Sequence, residues 1–280
     1  MTAPDILPRT TFLDLNGTLI PSSPGAPLDM AALRKVGQLA QRLRAAGAVV
    51  GLCSDSPLEQ LRDFGRHIRL GEPAEFPVVA ENGNVADIDG QVRVLTPFAA
   101  LTEVRSAVAA LASAYGLQQA DETLAPEFGG IRPGPDRWAF GANRRASVSV
   151  FGPRDFLTAV RKSLQDWAEE HSTEISLESS PDGLYLGIHP YRQVGSGKRR
   201  TLAMLASSQS SKNELLMIGN SLADWVPVRH GVRCAFVTDS TIPDDVRAEA
   251  WYVSAQPDVY GVIDTLTRLT DLAAGRATKL

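Results

Sequence analysis

The chain has 280 residues, 44% of them apolar, which is enough for one large folded unit or two modest ones. A formal charge of −4 excludes the broad basic surface that nucleic acid or an anionic membrane would select, so any anionic ligand needs a local positive site. Both cysteines, Cys53 and Cys234, lie inside apolar runs (VVGLCS, VRCAFV) as small buried thiols, with no disulfide or zinc spacing. No segment approaches the ~20 apolar residues of a membrane span, so a cytoplasmic location is expected.

TTFLDL reads as a buried strand ending in the turn-forming pair Asn16-Gly17, followed by a Pro/Ser-rich loop from Pro21 to Pro27. Leu33, Val36, Leu39, Ala40 and Leu43 recur at helical spacing, with Asp29 placed to cap the start and Gly47 to stop the end. AVVGLCS returns as a strand, making a βαβ unit and hence a parallel sheet. Between about Asn84 and Ile188 the pattern changes. Alternating runs (NVADIDGQVRVL, RRASVSVF, STEISLE, GLYLGIHP) and amphipathic helices near Ala100–Tyr115 and Asp155–His171 predict an antiparallel sheet with helices on one face. The last third resumes the first rhythm: GKRRTLAMLASSQ as helix, ELLMIG as strand, ADWVPVRHG as short helix, RCAFVT as strand. The fold class expected is α/β, a doubly wound and mostly parallel core of residues 1–82 and 188–280, with an inserted α+β domain over 83–187. The tail after Ala273 reads as frayed.

Four segments carry chemistry. Asp14, in Asp14-Leu15-Asn16-Gly17-Thr18, stands where a strand stops, so rigid backbone presents its carboxylate to the crevice at the strand ends. A carboxylate there can attack phosphorus if a cation offsets the repulsion between anions. Read alone, the pentapeptide is equally an ordinary turn. Ser54, in GLCSDSP, ends a second strand before a helix start, where free backbone donors suit a phosphoryl oxygen, although Ser-Asp-Ser-Pro is also a good cap. Lys198, in VGSGKRRTLAML, opens a helix against the dipole preference, which an anion nearby would explain. Gly219-Asn220-Ser221-Leu222-Ala223-Asp224 follows the apolar run LLMI, and Asp224 can turn back to offer oxygen to a hard cation such as Mg²⁺, or simply cap a helix.

In this order (Asp-x-x-Gly-Thr, Ser, Lys, Gly-x-Ser-x-x-Asp) the segments resemble the haloacid dehalogenase superfamily over essentially the whole chain. The run Glu81-Asn82-Gly83-Asn84 and the long insertion are similar to the branch with a large α/β cap after the second motif. That branch includes phosphoglycolate phosphatases of the archaeal kind, sucrose and mannosyl-phosphoglycerate phosphatases, phosphomannomutases and Cof-like sugar phosphatases. The resemblance implies a Rossmann-like core and Mg²⁺-dependent hydrolysis of a small phosphate monoester, a sugar phosphate or phosphoglycolate-like acid. Asp14 would be nucleophile and metal ligand, the carbonyl of Asn16 a second ligand, and Asp224 and Asn220 further ones. Ser54 and Lys198 would hold the phosphoryl group. Asn82 and Arg145 would set specificity in the cap, with Thr18, Asp55, Gly83, His189 and Ser221 as further substrate contacts. The implied partner is a small phosphorylated metabolite, with a monomer or homodimer as the assembly.

Asn16 and Asn220 depart from the pattern, since both positions usually carry carboxylates. Asn cannot exchange a proton at neutral pH, so the acid that protonates the leaving oxygen is missing, and metal affinity should fall. The amides suit a substrate that has a good leaving group or supplies its own acid, a slow or silent relative that binds a phosphorylated ligand without turning it over, or introduced carboxylate-to-amide changes; a phosphotransferase or mutase that passes phosphate to an acceptor is a further alternative. Asp55 reads first as an exposed aspartate in the first turn of a helix, and as an alternative could supply a replacement proton relay. His67, His171 and His230 read as surface groups, whereas His189 lies near the junction of the two regions.

Overall fold

The computed structural model describes residues 6–21, 26–121, 133–180, 182–191, 196–208 and 215–276. Residues 22–25 of the Pro/Ser-rich loop, residues 192–195 ahead of Lys198 and the tail from 277 lie outside these. Two sheets organise the rest. The larger has eight strands in the order β13-β12-β11-β1-β2-β3-β4-β5. Its centre is β1 (Thr10–Leu13), β2 (Val49–Cys53) and β11 (Leu215–Ser221), with β1 parallel to both neighbours. β3 (Val78–Ala80), β12 (Val232–Thr241) and β13 (Tyr252–Val253) extend it in parallel.

Strands this apolar need cover on both faces. Along β1 and β11, Leu13, Leu216 and Ile218 pack under α1 (Met30–Ala45), α2 (Leu58–His67) and α7 (Asp258–Ala273). Phe12, Leu215 and Met217 pack on the opposite face with Leu202 of α5 (Ser196–Ser207) and Val246 of α6 (Asp244–Glu249). Asp29 caps α1 as expected, its Oδ1 accepting from the N–H groups of Ala31 and Ala32 at 3.0 and 2.9 Å. Cys53 and Cys234 are buried and free. The run ADWVPVRHG, expected as one short helix, forms two single 3-10 turns, Leu222–Asp224 and Val228–His230, separated at Pro227, which has no N–H to continue a helical ladder.

The smaller sheet has five strands in the order β6-β7-β8-β10-β9. These are β6 (Gln118–Gln119), β7 (Arg137–Phe140), β8 (Val148–Phe151), β10 (Tyr185–His189) and β9 (Ser176–Ser179), antiparallel except for β6 with β7. Helices α3 (Leu101–Ala114) and α4 (Arg154–Glu170) cover one face, packing on Trp138, Phe140, Val148, Val150, Leu186 and Ile188. Because side chains alternate along a strand, the opposite face carries Ser147, Ser149, Ser176, Glu178, Tyr185, Gly187 and His189. Most of these polar groups are buried.

One boundary moves. The hairpin of β4 (Val85–Ile88) and β5 (Gln91–Val94), expected in the insert from residue 83 onward, belongs to the larger sheet, where β4 pairs antiparallel with β3. Val85 is in the core, and buried Asp87 accepts from Arg62 Nε of α2 at 2.9 Å. The insert therefore begins after Val94.

Candidate active site

Asp14 and Asp224 stand at the carboxyl ends of two adjacent central strands, β1 and β11. The backbone N–H of Asp14 donates to the Ile218 carbonyl at 2.9 Å, which fixes where its side chain leaves the sheet. Beyond it the chain turns at once, the Gly17 N–H donating to the Ile20 carbonyl at 2.7 Å. Lys198, in the first turn of α5, is only 4% exposed, and its Nζ donates to Asp14 Oδ1 and Asp224 Oδ1 at 2.7 Å each. Thr18 Oγ1 donates to Asp14 Oδ2 at 3.4 Å. Asp224 Oδ2 accepts from the Asn220 and Ser221 N–H groups and the Ser221 hydroxyl at 3.1, 3.2 and 3.1 Å.

Two buried carboxylates thus share one ammonium. Burial, and then repulsion from Asp224, push the Asp14 carboxyl up to about 7, against the pull of Lys198. Burial works against the Lys198 charge, but the two carboxylates override it and hold the amine well above its ordinary value. The set is oxygen-rich and one charge short of neutral, which fits a hard divalent cation beside Asp14 and Asp224.

Lys198 owes its position to a tight contact. Thr201 Oγ1 donates to the Gly83 carbonyl at 2.7 Å, and a Cβ on Gly83 would collide with the backbone of Gly197. Residues 81–83 hold left-handed backbone, with φ of 50° at Glu81, 57° at Asn82 and 94° at Gly83. Ser54, buried at the end of β2, accepts the Asn82 N–H at its carbonyl at 3.1 Å, so the same turn rests on the second motif.

A second polar cluster joins the two sheets. Asp55 accepts from Arg144 at 2.8 Å on its backbone carbonyl and 3.1 Å on Oδ1, and from the Tyr185 hydroxyl at 2.6 Å on Oδ2. Burial alone would raise the Asp55 carboxyl, but Arg144 and then His189 hold it well below the usual carboxylate range. Burial and the Asp55 charge keep the Tyr185 hydroxyl protonated. His189 Nε2 faces Asp55 Oδ1 at 3.4 Å and Glu178 Oε2 at 3.5 Å, while Asn82 Nδ2 donates to Glu178 Oε2 at 2.9 Å. Buried Glu81 spans the sheets too, accepting from the N–H groups of Arg145 and Ala146 at 2.7 and 2.9 Å and from Ser147 Oγ at 2.7 Å.

The residues singled out by sequence fall into these groups. Asp14, Thr18, Lys198, Ser221 and Asp224 form the first cluster, with Asn220 half-buried beside it and the Asn16 side chain exposed at the strand end. Asp55, Asn82 and His189 join the second. Arg145 does not: its guanidinium pairs with Glu59 of α2, and its neighbour Arg144, on the other side of the chain, takes the position in the crevice. Arg144, Tyr185, Glu178 and Glu81 were not anticipated. For Tyr185 and Glu178 the signal was parity, since both share a strand face with His189.

No family model and no curated protein matches the chain in sequence. Solved structures do match, nearly end to end. A haloacid dehalogenase-like hydrolase from Bacteroides thetaiotaomicron aligns at 16% identity over 93% of this chain and 99% of its own, with a TM-score of 0.66. The Thermoplasma acidophilum 0175 protein aligns at 17% identity over 94% and 99%, with a TM-score of 0.63. A sugar phosphatase of haloacid dehalogenase subclass IIB aligns at 16% identity over 93% and 98%, with a TM-score of 0.55. Eight central strands, an inserted second sheet and these alignments together give the chain the fold of the haloacid dehalogenase-like hydrolases.

Proposed function

We propose that the protein is a Mg²⁺-dependent phosphatase that hydrolyses a small phosphate monoester, a sugar phosphate or a phosphoglycolate-like acid, through an aspartyl phosphate on Asp14. The observation that carries this reading is Lys198 Nζ seated between Asp14 and Asp224 at 2.7 Å from each, at the mouth of a parallel sheet. Asp14, Asp224, the backbone carbonyl of Asn16 and the side-chain oxygen of Asn220 would hold the cation. Its chemistry there is to offset the charge between an attacking carboxylate and a phosphate. Asp14 attacks phosphorus, and the substrate oxygen leaves. Lys198, with the Ser54 hydroxyl, balances the charge that develops on the phosphoryl oxygens. Water then attacks the phosphorus of the aspartyl phosphate and frees Asp14. The solved sugar phosphatase with this fold supports a phosphorylated sugar as the small-molecule partner.

The exposed Asn16 amide favours a second reading, a protein that binds the phosphorylated ligand, or passes phosphate to an acceptor, with little hydrolysis. Phosphate release across a panel of phosphorylated metabolites, with Mg²⁺ and with chelator, tests the first reading, and silence from folded protein overturns it. Asn16→Asp separates the two. Turnover should rise by about 10²–10⁴-fold if only the proton donor is missing, and stay flat in a binding protein.

A further inference from the structure

His189, at the end of β10, is fully buried, and neither ring nitrogen has a hydrogen-bond partner among the described residues. Its ring stacks on Tyr191 at 5.4 Å and 10°, which fixes its plane. A buried imidazole whose nitrogens make no hydrogen bond carries an uncompensated desolvation penalty, so the groups built around it require an explanation. Nε2 is aimed between two carboxylates, 3.4 Å from Asp55 Oδ1 and 3.5 Å from Glu178 Oε2. All three ligand atoms lie within 4.8 Å of one another.

We propose that Asp55, Glu178 and His189 form a second cation site, distinct from the oxygen-only site at Asp14, that takes a divalent ion of the zinc class. Metal–ligand bonds of ~2.0–2.1 Å at tetrahedral angles separate ligand atoms by roughly 3.3–3.4 Å, close to the two spacings made by His189. The supporting groups are in place. Tyr185 and Arg144 hold Asp55, and Asn82 holds Glu178, as partners that orient metal ligands do. The space is also kept clear: a Cβ on Gly187, between Tyr185 and His189 on the same strand face, would lie 2.8 Å from the Tyr185 hydroxyl oxygen and 3.2 Å from His189 Nε2. One imidazole among the donors selects against Mg²⁺, which prefers oxygen throughout. Three protein ligands leave a position open, and the side chains of Asp55 and Glu178 are 22% and 25% exposed, so that position faces the crevice.

Charge points the same way. Two carboxylates, Asp55 and Glu178, face a single guanidinium, Arg144, a poor lining for an anionic ligand. A divalent ion reverses that sign and can accept a ligand oxygen. The site stands without the phosphatase reading, because metal content is measured without turnover.

The test is Co²⁺ titration of the full chain in excess Mg²⁺, which occupies the Asp14 site, followed by visible absorption and displacement with Zn²⁺. One equivalent of Co²⁺ with four- or five-coordinate absorption is expected, retained in Asp224→Asn and lost in His189→Gln. Glu178→Gln and Tyr185→Phe should weaken binding, the second by about 10–100-fold as an orienting partner. If His189→Gln fails to fold by its thermal melt, Glu178→Gln, at a partly exposed position, decides alone. Absence of Co²⁺ binding, its complete loss in Asp224→Asn, or its indifference to Glu178→Gln overturns the proposal and leaves a histidine bridging two carboxylates.

Discussion

Lys198 carries the charge balance of the crevice, since Asp14 and Asp224 are both buried and it alone among the described residues donates to both. Lys198→Met should therefore lower kcat by about 10²–10³-fold, as loss of one oriented donor to a developing oxyanion does, and this is read directly from phosphate release. Asp14 adds a pH effect whose sign follows from its raised carboxyl. Between its ordinary value of 3.8 and about 7 the folded state holds a proton that the unfolded chain has released, so Asp14 reduces stability progressively as pH rises through that window. A bound divalent cation favours the carboxylate and reverses the penalty. The rise in melting temperature on adding Mg²⁺ should be larger at pH 8 than at pH 5.5, and the difference should vanish in Asp14→Asn. The motifs holding Asp14, Lys198 and Asp224 were legible because each sits at a strand end or helix start. The spacing said nothing of which neighbouring arginine would face the crevice: Arg144 and Arg145 point apart, and Glu59 on a helix 86 positions away settles the choice for Arg145.

At the scale of elements, the turn over residues 81–84 is the joint of the molecule. Its left-handed residues are held in a costly conformation, of the order of 1–3 kcal/mol each for the non-glycine ones, which persists only because both sides grip it. Gly83→Ala should cost at least about 1 kcal/mol, read as a lower denaturation midpoint, because φ of 94° and the Gly197 backbone both oppose a Cβ. Glu81→Gln weakens three hydrogen bonds to a charged acceptor, worth about 1.5–3 kcal/mol each in favourable cases, and faster amide exchange at Arg145 and Ala146 should report it. The strands of the smaller sheet were readable by their alternation. What the alternation could not reveal is that the polar face is buried: Ser147, Ser149, Ser176 and His189 look like a solvent side in sequence, yet all four are buried, and Ser147 and His189 reach Glu81 and Asp55 beside the larger sheet.

For the whole molecule, both faces of the parallel sheet are covered and the insert is stapled back onto its carboxyl edge through Asp55 and Glu81. The parallel core was evident from its repeated strand–helix rhythm. The boundary was misjudged at 85–94, because an antiparallel hairpin looks the same whether it starts a new sheet or extends an old one, and only the pairing of β4 with β3 decides. That extension makes β5 the edge of the larger sheet, with Val92 and Val94 exposed and no strand paired to its outer side among the described residues. Replacing Val94 by Lys should leave activity unchanged and reduce aggregation at high concentration, as light scattering would show.

The turn at 81–84 touches three things at once: the insert through Glu81, the second motif through Asn82 and the helix of Lys198 through Gly83. Any swing that lifts the smaller sheet off the crevice must pull on the peptide that seats the lysine. The Gly83 carbonyl that accepts from Thr201 on the lysine's helix lies two residues from the carboxylate that grips the insert, so a change at either end is felt at the other through a single short stretch of backbone.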